Sequence, residues 1–135
     1  LGDGSRVAFA LTAQPVPGID NAVDVAAGTQ HSLALLADGS VLAWGSNASG
    51  QLGDGTFVRR RTPVDTGARA VSRIRAGGNL SLAITEERIL LAWGENSDGQ
   101  LGRGAATTTD VPTPTGIAAD VVDAAAADLF LLLAT

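Results

Sequence analysis

A histidine and a serine stand side by side at His31 and Ser32, the residue types from which a general base and a nucleophile are assembled. His31 is the only histidine among 135 residues and cysteine is absent, so a thiolate nucleophile and a His/Cys zinc site are both excluded. In a strand, neighbouring side chains point to opposite faces, which turns Ser32 away from His31 and gives no support to a Ser-His-Asp triad. Trp44 and Trp93 offer flat faces on which a sugar or base could stack. The run Asn96-Ser97-Asp98-Gly99 looks like a calcium loop, but it lacks the ligand order D-x-[DN]-x-[DN]-G and the distal glutamate. GxG pairs such as Gly53 and Gly55 lack the following helix and the lysine of a phosphate cradle. Neither a metal nor a cofactor is expected.

Most of these residues belong to a repeat. WGSNASGQLGDG at 44–55 returns as WGENSDGQLGRG at 93–104, with eight of twelve letters kept at an offset of 49. Leu-Gly-Asp-Gly at 1–4 and 52–55 becomes Leu-Gly-Arg-Gly at 101–104, and VDVAAGTQHSLALL (23–36) aligns with SRIRAGGNLSLAIT (72–85) and VDAAAADLFLLLAT (122–135). The chain divides accordingly into units 1–51, 52–100 and a shorter 101–135, forming a single segment. The slot of His31 holds Leu80 and Phe130 in the other units, which marks it as an inward packing position rather than a catalytic one. Trp44 and Trp93 recur at a strand end before Gly45 and Gly94, a place for bulk wedged against a neighbouring sheet. Asn47 and Asn96, with Gln51 and Gln100, are expected to bond nearby backbone and pin a loop, while Gly28, Gly53, Gly77 and Gly102 complete the repeat signature.

The elements that carry these residues read as strands. HSLALL, Ala37-Asp38-Gly39 and SVLAWG form a hairpin, for which Asp-Gly suggests a type I′ turn. Thr85-Glu86-Glu87-Arg88 has no glycine at the matching place, so a looser loop is expected there. Strands apolar on both faces belong to sheets covered on both sides. A period near 50 with short strands indicates β-propeller blades, one small sheet per repeat. The fold class is thus all-β, an incomplete ring of antiparallel blades, either part of a longer propeller or completed by further copies of the chain.

Composition restricts function further. Nine arginines against fourteen acids give a net charge of −5, which disfavours nucleic acid. The apolar run 129–134 falls far short of the roughly 20 residues of a membrane helix, and no leader is apparent at Leu1. A soluble protein is expected, cytoplasmic or secreted, and the all-arginine basic set suggests a bacterial source.

The string V-x-x-G-x-x-H-S-L-A-L followed by D-G-S-V-L-A-W-G-S-N-x-x-G-Q-L-G-D-G resembles the repeat of the regulator of chromosome condensation family. That resemblance implies a seven-bladed propeller and a non-enzymatic module that binds a protein partner. Its alternatives are a nucleotide-exchange regulator of a small GTPase and a propeller that caps a bacterial enzyme. Function is sought where the units disagree. Arg59, Arg60 and Arg61 face Ala8-Phe9-Ala10 and Thr108-Thr109-Asp110 in the other units, Arg73 stands where Asp24 and Asp123 stand, and Arg75 where Ala26 and Ala125 stand. These five arginines are candidates for an acidic partner surface, or for charge that protects a solvated edge strand from aggregation.

Overall fold

The computed structural model describes residues 2–5, 12–101, 108–116, 120–126 and 131–135. Its strands are β1 (Ala22–Ala27), β2 (His31–Leu36), β3 (Val41–Gly45), β4 (Arg60–Asp65), β5 (Val71–Gly77), β6 (Leu80–Thr85), β7 (Leu90–Gly94), β8 (Thr109–Pro114), β9 (Asp123–Ala126) and β10 (Leu131–Ala134). They form two four-stranded antiparallel sheets, β1-β2-β3-β4 and β5-β6-β7-β8, and a two-stranded sheet of β9 and β10. We call these blades 1, 2 and 3. The units cut at Leu-Gly-x-Gly are out of phase with the sheets, because β4 lies in the second unit yet completes blade 1.

The blades pack face to face through apolar side chains. Leu33, Leu35, Val41 and Ala43 of blade 1 meet Val71, Ile74, Ala83 and Trp93 of blade 2, with Leu52 between them. The next interface repeats the arrangement with Leu82, Ile84, Leu90 and Ala92 against Val121 and Ala124, and Leu101 takes the place of Leu52. This explains why the middle strands carry no polar face. A strand covered on both sides gains from apolar residues at every position, at about 25 cal/mol per Å² removed from water. β1, β5 and β9 lie next to one another and form the side on which the blades converge.

The hairpin turns differ from both expectations. In the first, Gly39 N–H donates to Leu36 O at 3.0 Å, Leu36 N–H donates to Ser40 O at 2.9 Å, and Gly39 has φ of 78° while Asp38 is not left-handed. A type I′ turn needs positive φ at both central residues, so this is instead a three-residue loop whose glycine forms a bulge. The second is not looser. Arg88 N–H donates to Thr85 O at 2.9 Å, Thr85 N–H donates to Ile89 O at 3.0 Å, and Arg88 itself adopts φ of 61°, the left-handed state its counterpart Gly39 holds freely. Each turn also anchors the next blade: Val71 N–H donates to Gly39 O at 3.0 Å and Val121 N–H to Arg88 O at 3.2 Å. That shared bond holds the turn in shape whether or not glycine is present.

Candidate functional site

The shared phrase is a joint between blades. After β3 the chain leaves blade 1, lies against blade 2, and returns to form β4. Asn47 shapes this loop from within. Its Oδ1 accepts from Leu52 N–H at 2.9 Å, and its Nδ2 donates to Asp54 Oδ1 at 3.0 Å and Thr56 O at 2.8 Å. Gln51 Oε1 accepts from Ser49 N–H at 2.9 Å, and its Nε2 donates to Asn79 Oδ1 of blade 2 at 3.1 Å. Asn96 and Gln100 repeat the inner bonds, accepting from Leu101 and Asp98 N–H at 2.8 and 2.9 Å. Gly53 must be glycine because a Cβ there would lie 2.7 Å from Trp93 Nε1, and Gly2 stands in the same relation to Trp44 at 2.6 Å. Gly45 and Gly94, with φ of 112° and 105°, press against Gln30 O and Asn79 O. Gly77 pairs with Leu80 across the β5–β6 turn, where Gly78 has the positive φ of 54°. Gly102 lies outside the described residues.

The histidine is buried in this joint. His31 Nε2 lies 2.9 Å from Ser81 Oγ of blade 2, not from Ser32, and Gly28 makes room for the imidazole, since a Cβ there would overlap the ring. Ser81 Oγ donates to Gln51 O at 2.7 Å, and Trp93 Nε1 donates to the same carbonyl at 3.0 Å. A hydroxyl has one proton, so Ser81 accepts from His31 Nε2–H. The pair therefore runs opposite to a catalytic dyad, whose histidine must accept the serine proton. Burial pushes His31 down to about 4, opposed by the Leu80 backbone, and Nδ1 has no hydrogen-bond partner among the described residues. Trp93 is fully buried, which removes it as a stacking platform, and Trp44 is half-buried under Gly2. Among the described residues no group of three or more His, Asp or Glu side chains is placed to hold a metal.

The five arginines separate into two groups. Arg60 Nε bonds Asp54 Oδ2 at 2.7 Å, and Arg75 pairs with Asp123 at 2.9 Å and Asp24 at 3.7 Å, linking three blades on their converging side. These two brace the fold. Arg73 reaches Asp123 only at 3.9 Å, while Arg59 and Arg61 are exposed and make no ion pair among the described residues. Arg59 adjoins along the chain a part of the surface that the sequence reading missed. Phe57 is 52% and Val58 58% exposed beside Arg59, and Val111 of blade 2, 45% exposed, lies against Gly55. Only the anomaly of a phenylalanine in a loop of small and polar residues hinted at it.

The regulator of chromosome condensation (RCC1) repeat matches residues 22–51, 38–84 and 89–133. The chain belongs to the RCC1 repeat family. It is 34% identical over 81 residues to BTB/POZ domain-containing protein 1 of Schizosaccharomyces pombe, covering 56% of this chain and 6% of that protein. Its fold matches Prp20p from Saccharomyces cerevisiae, described by its binding to Gsp1p and histones, with TM-score 0.77, 31% identity, and coverage of 87% of this chain and 30% of that one. It also matches human WBSCR16 with TM-score 0.71, 29% identity, and coverage of 81% and 29%. The antiparallel sheets correspond to part of a seven-bladed RCC1 propeller, and the RCC1 chain spans under a third of the solved structures it matches. No helix among the described residues is long and apolar enough to cross a membrane.

Proposed function

We propose that this RCC1 segment is a non-enzymatic module that binds another protein through the outer surface formed by Phe57, Val58, Arg59, Arg61 and Val111. The observation that supports this reading is the joint exposure of a phenylalanine, two valines and two arginines that make no ion pair among the described residues, whose other large side chains mostly lie between blades. Aromatic and arginine side chains are the types enriched where proteins meet. The reversed His31–Ser81 pair supports the non-enzymatic part. Prp20p, to which the chain is similar, is described as binding proteins, which agrees with an interaction role without naming a partner for this chain.

The test is affinity capture from an extract of the source cells, with wild type compared against a variant carrying Phe57→Ala, Arg59→Glu and Arg61→Glu. A protein retained by the wild type and lost by the variant, at unchanged melting temperature, supports the reading. Equal retention by both refutes it.

A further inference from the structure

A second surface lies between blades 2 and 3, on the side of the hairpin turns. A cleft of about 390 Å³ is lined there by Ser72, Arg73, Ile84, Thr85, Glu86, Arg88, Val121 and Val122. The lining is where the second unit departs from the first. Ser72, Arg73, Thr85, Glu86 and Arg88 replace Val23, Asp24, Leu36, Ala37 and Gly39 at the matching positions. Five changes from apolar, acidic or small residues to two arginines, two hydroxyl residues and one glutamate thus meet in one place. Packing alone does not ask for them, since the first unit builds the same turn and the same bond to the next blade without them.

We infer that this cleft binds an extended acidic segment of a protein, its carboxylates taken by Arg73 and Arg88 and its apolar side chains resting on Ile84, Val121 and Val122. Both guanidiniums have donors to spare. The carboxylates nearest to them, Asp123 at 3.9 Å from Arg73 and Asp120 at 3.6 Å from Arg88, stay beyond hydrogen-bonding distance, and Asp123 is already bonded to Arg75 at 2.9 Å. Arginine binds a carboxylate best through paired N–H donors, and these remain unused among the described residues. Ile84 and Val121 form a buried floor, while Val122 is 42% exposed at the rim. Glu86 is the one acid of the lining and opposes an acidic occupant. Arg88 is the telling residue. It keeps a left-handed backbone that glycine takes without strain, and a side chain retained against such strain calls for a use. This surface is separate from the Phe57 patch, so either assignment can fail without the other.

The probe is a fluorescent peptide alternating glutamate with leucine, acetylated and amidated, titrated into the full chain and followed by anisotropy. Saturable binding is expected, weakened about tenfold in Arg73→Ala and again in Arg88→Gly, and strengthened in Glu86→Gln. Arg88→Gly introduces the residue that Gly39 already supplies at this turn, so it retains the fold. Arg59→Glu with Arg61→Glu leaves this binding unchanged. Failure of the wild type to bind, or equal binding by the Arg73 and Arg88 variants, overturns the proposal. So does equal affinity for free acetate or inorganic phosphate, which would make the cleft a small-anion site.

Discussion

Replacing His31 by leucine, the residue the second unit carries at Leu80, should remove most of the acid sensitivity of this fold between pH 7 and pH 5. In the unfolded chain a histidine titrates near 6.5, whereas burial holds His31 at about 4 in the folded protein. Between those values the unfolded state binds a proton that the folded state refuses, so stability is full above the unfolded value and falls as the pH drops through the window. The complete window corresponds to about 3 kcal/mol, and the part between pH 7 and pH 5 to about 2 kcal/mol. Two carboxylates held by arginine lie outside this window. Burial opposes ionisation of Asp54, but hydrogen bonds from Thr56 and Arg60 outweigh it, and the Arg69 hydrogen bond lowers Asp65; both titrate below the ordinary 3.8 and act under the histidine window. Leucine fits because Ser81 keeps its bond to Gln51 O, and only the acceptor side of its hydroxyl loses a partner. The assay is urea unfolding at both pH values, followed by tryptophan fluorescence. Wild type should lose about 2 kcal/mol on acidification, and His31→Leu only a small fraction of it. An unchanged pH dependence in the variant would refute the burial of a neutral imidazole at this position.

Other predictions concern the backbone and the joint. Arg88→Gly relieves a left-handed arginine but frees the unfolded chain, so a net gain of up to about 1 kcal/mol, read as a raised melting temperature, is expected. Gly94→Ala drives a Cβ into Asn79 O at a φ of 105° and should cost more than about 3 kcal/mol by urea unfolding. Gly67→Ala, with φ of 81° but nothing within 4 Å, is its control and should cost only about 1 kcal/mol. Asp54→Ala strips partners from Asn47, Thr56 and Arg60 together, and a loss of about 2 kcal/mol is expected, whereas Arg59→Ala at the neighbouring exposed position should change stability by less than about 0.5 kcal/mol.

Much of this architecture was legible as text because the same physical problem is solved at each blade. Trp93, Gly94, Asn96 and Gln100 answer to Trp44, Gly45, Asn47 and Gln51, and recurrence alone marked them as residues of a joint. The role of His31 was readable for the same reason, since an imidazole that alternates with leucine and phenylalanine occupies an apolar slot. Its partner was not readable: Ser81 lies in another blade, and only the stacking of sheets brings them together. Turn types were misjudged because φ at Asp38 and Arg88 is set by bonds to Ser40, Val71 and Val121, which local propensity does not contain. The candidate surface was half legible. Of the five arginines assigned to one partner surface, Arg59 and Arg61 are exposed, whereas Arg60 and Arg75 turn inward to Asp54 and to Asp24 with Asp123, pairings that span blades or loop residues and leave no local trace.

The excursion of residues 46–59 has a bearing on how such proteins can be cut and rejoined. The outer strand of one sheet is reached only through a segment lodged on its successor, so removing β5 to β8 as a tidy sheet would strand Gln51 and Leu52 without a seat. Excising residues 52–100, which is one full period of the text and crosses two sheets, joins Gln51 to Leu101 and so leaves a whole segment whose leucine already packs on Val121 and Ala124 of the next sheet. Recombination between genes of this kind is therefore best tolerated at the Gln-Leu step, where the seam lies inside the clasp instead of at the edge of a sheet.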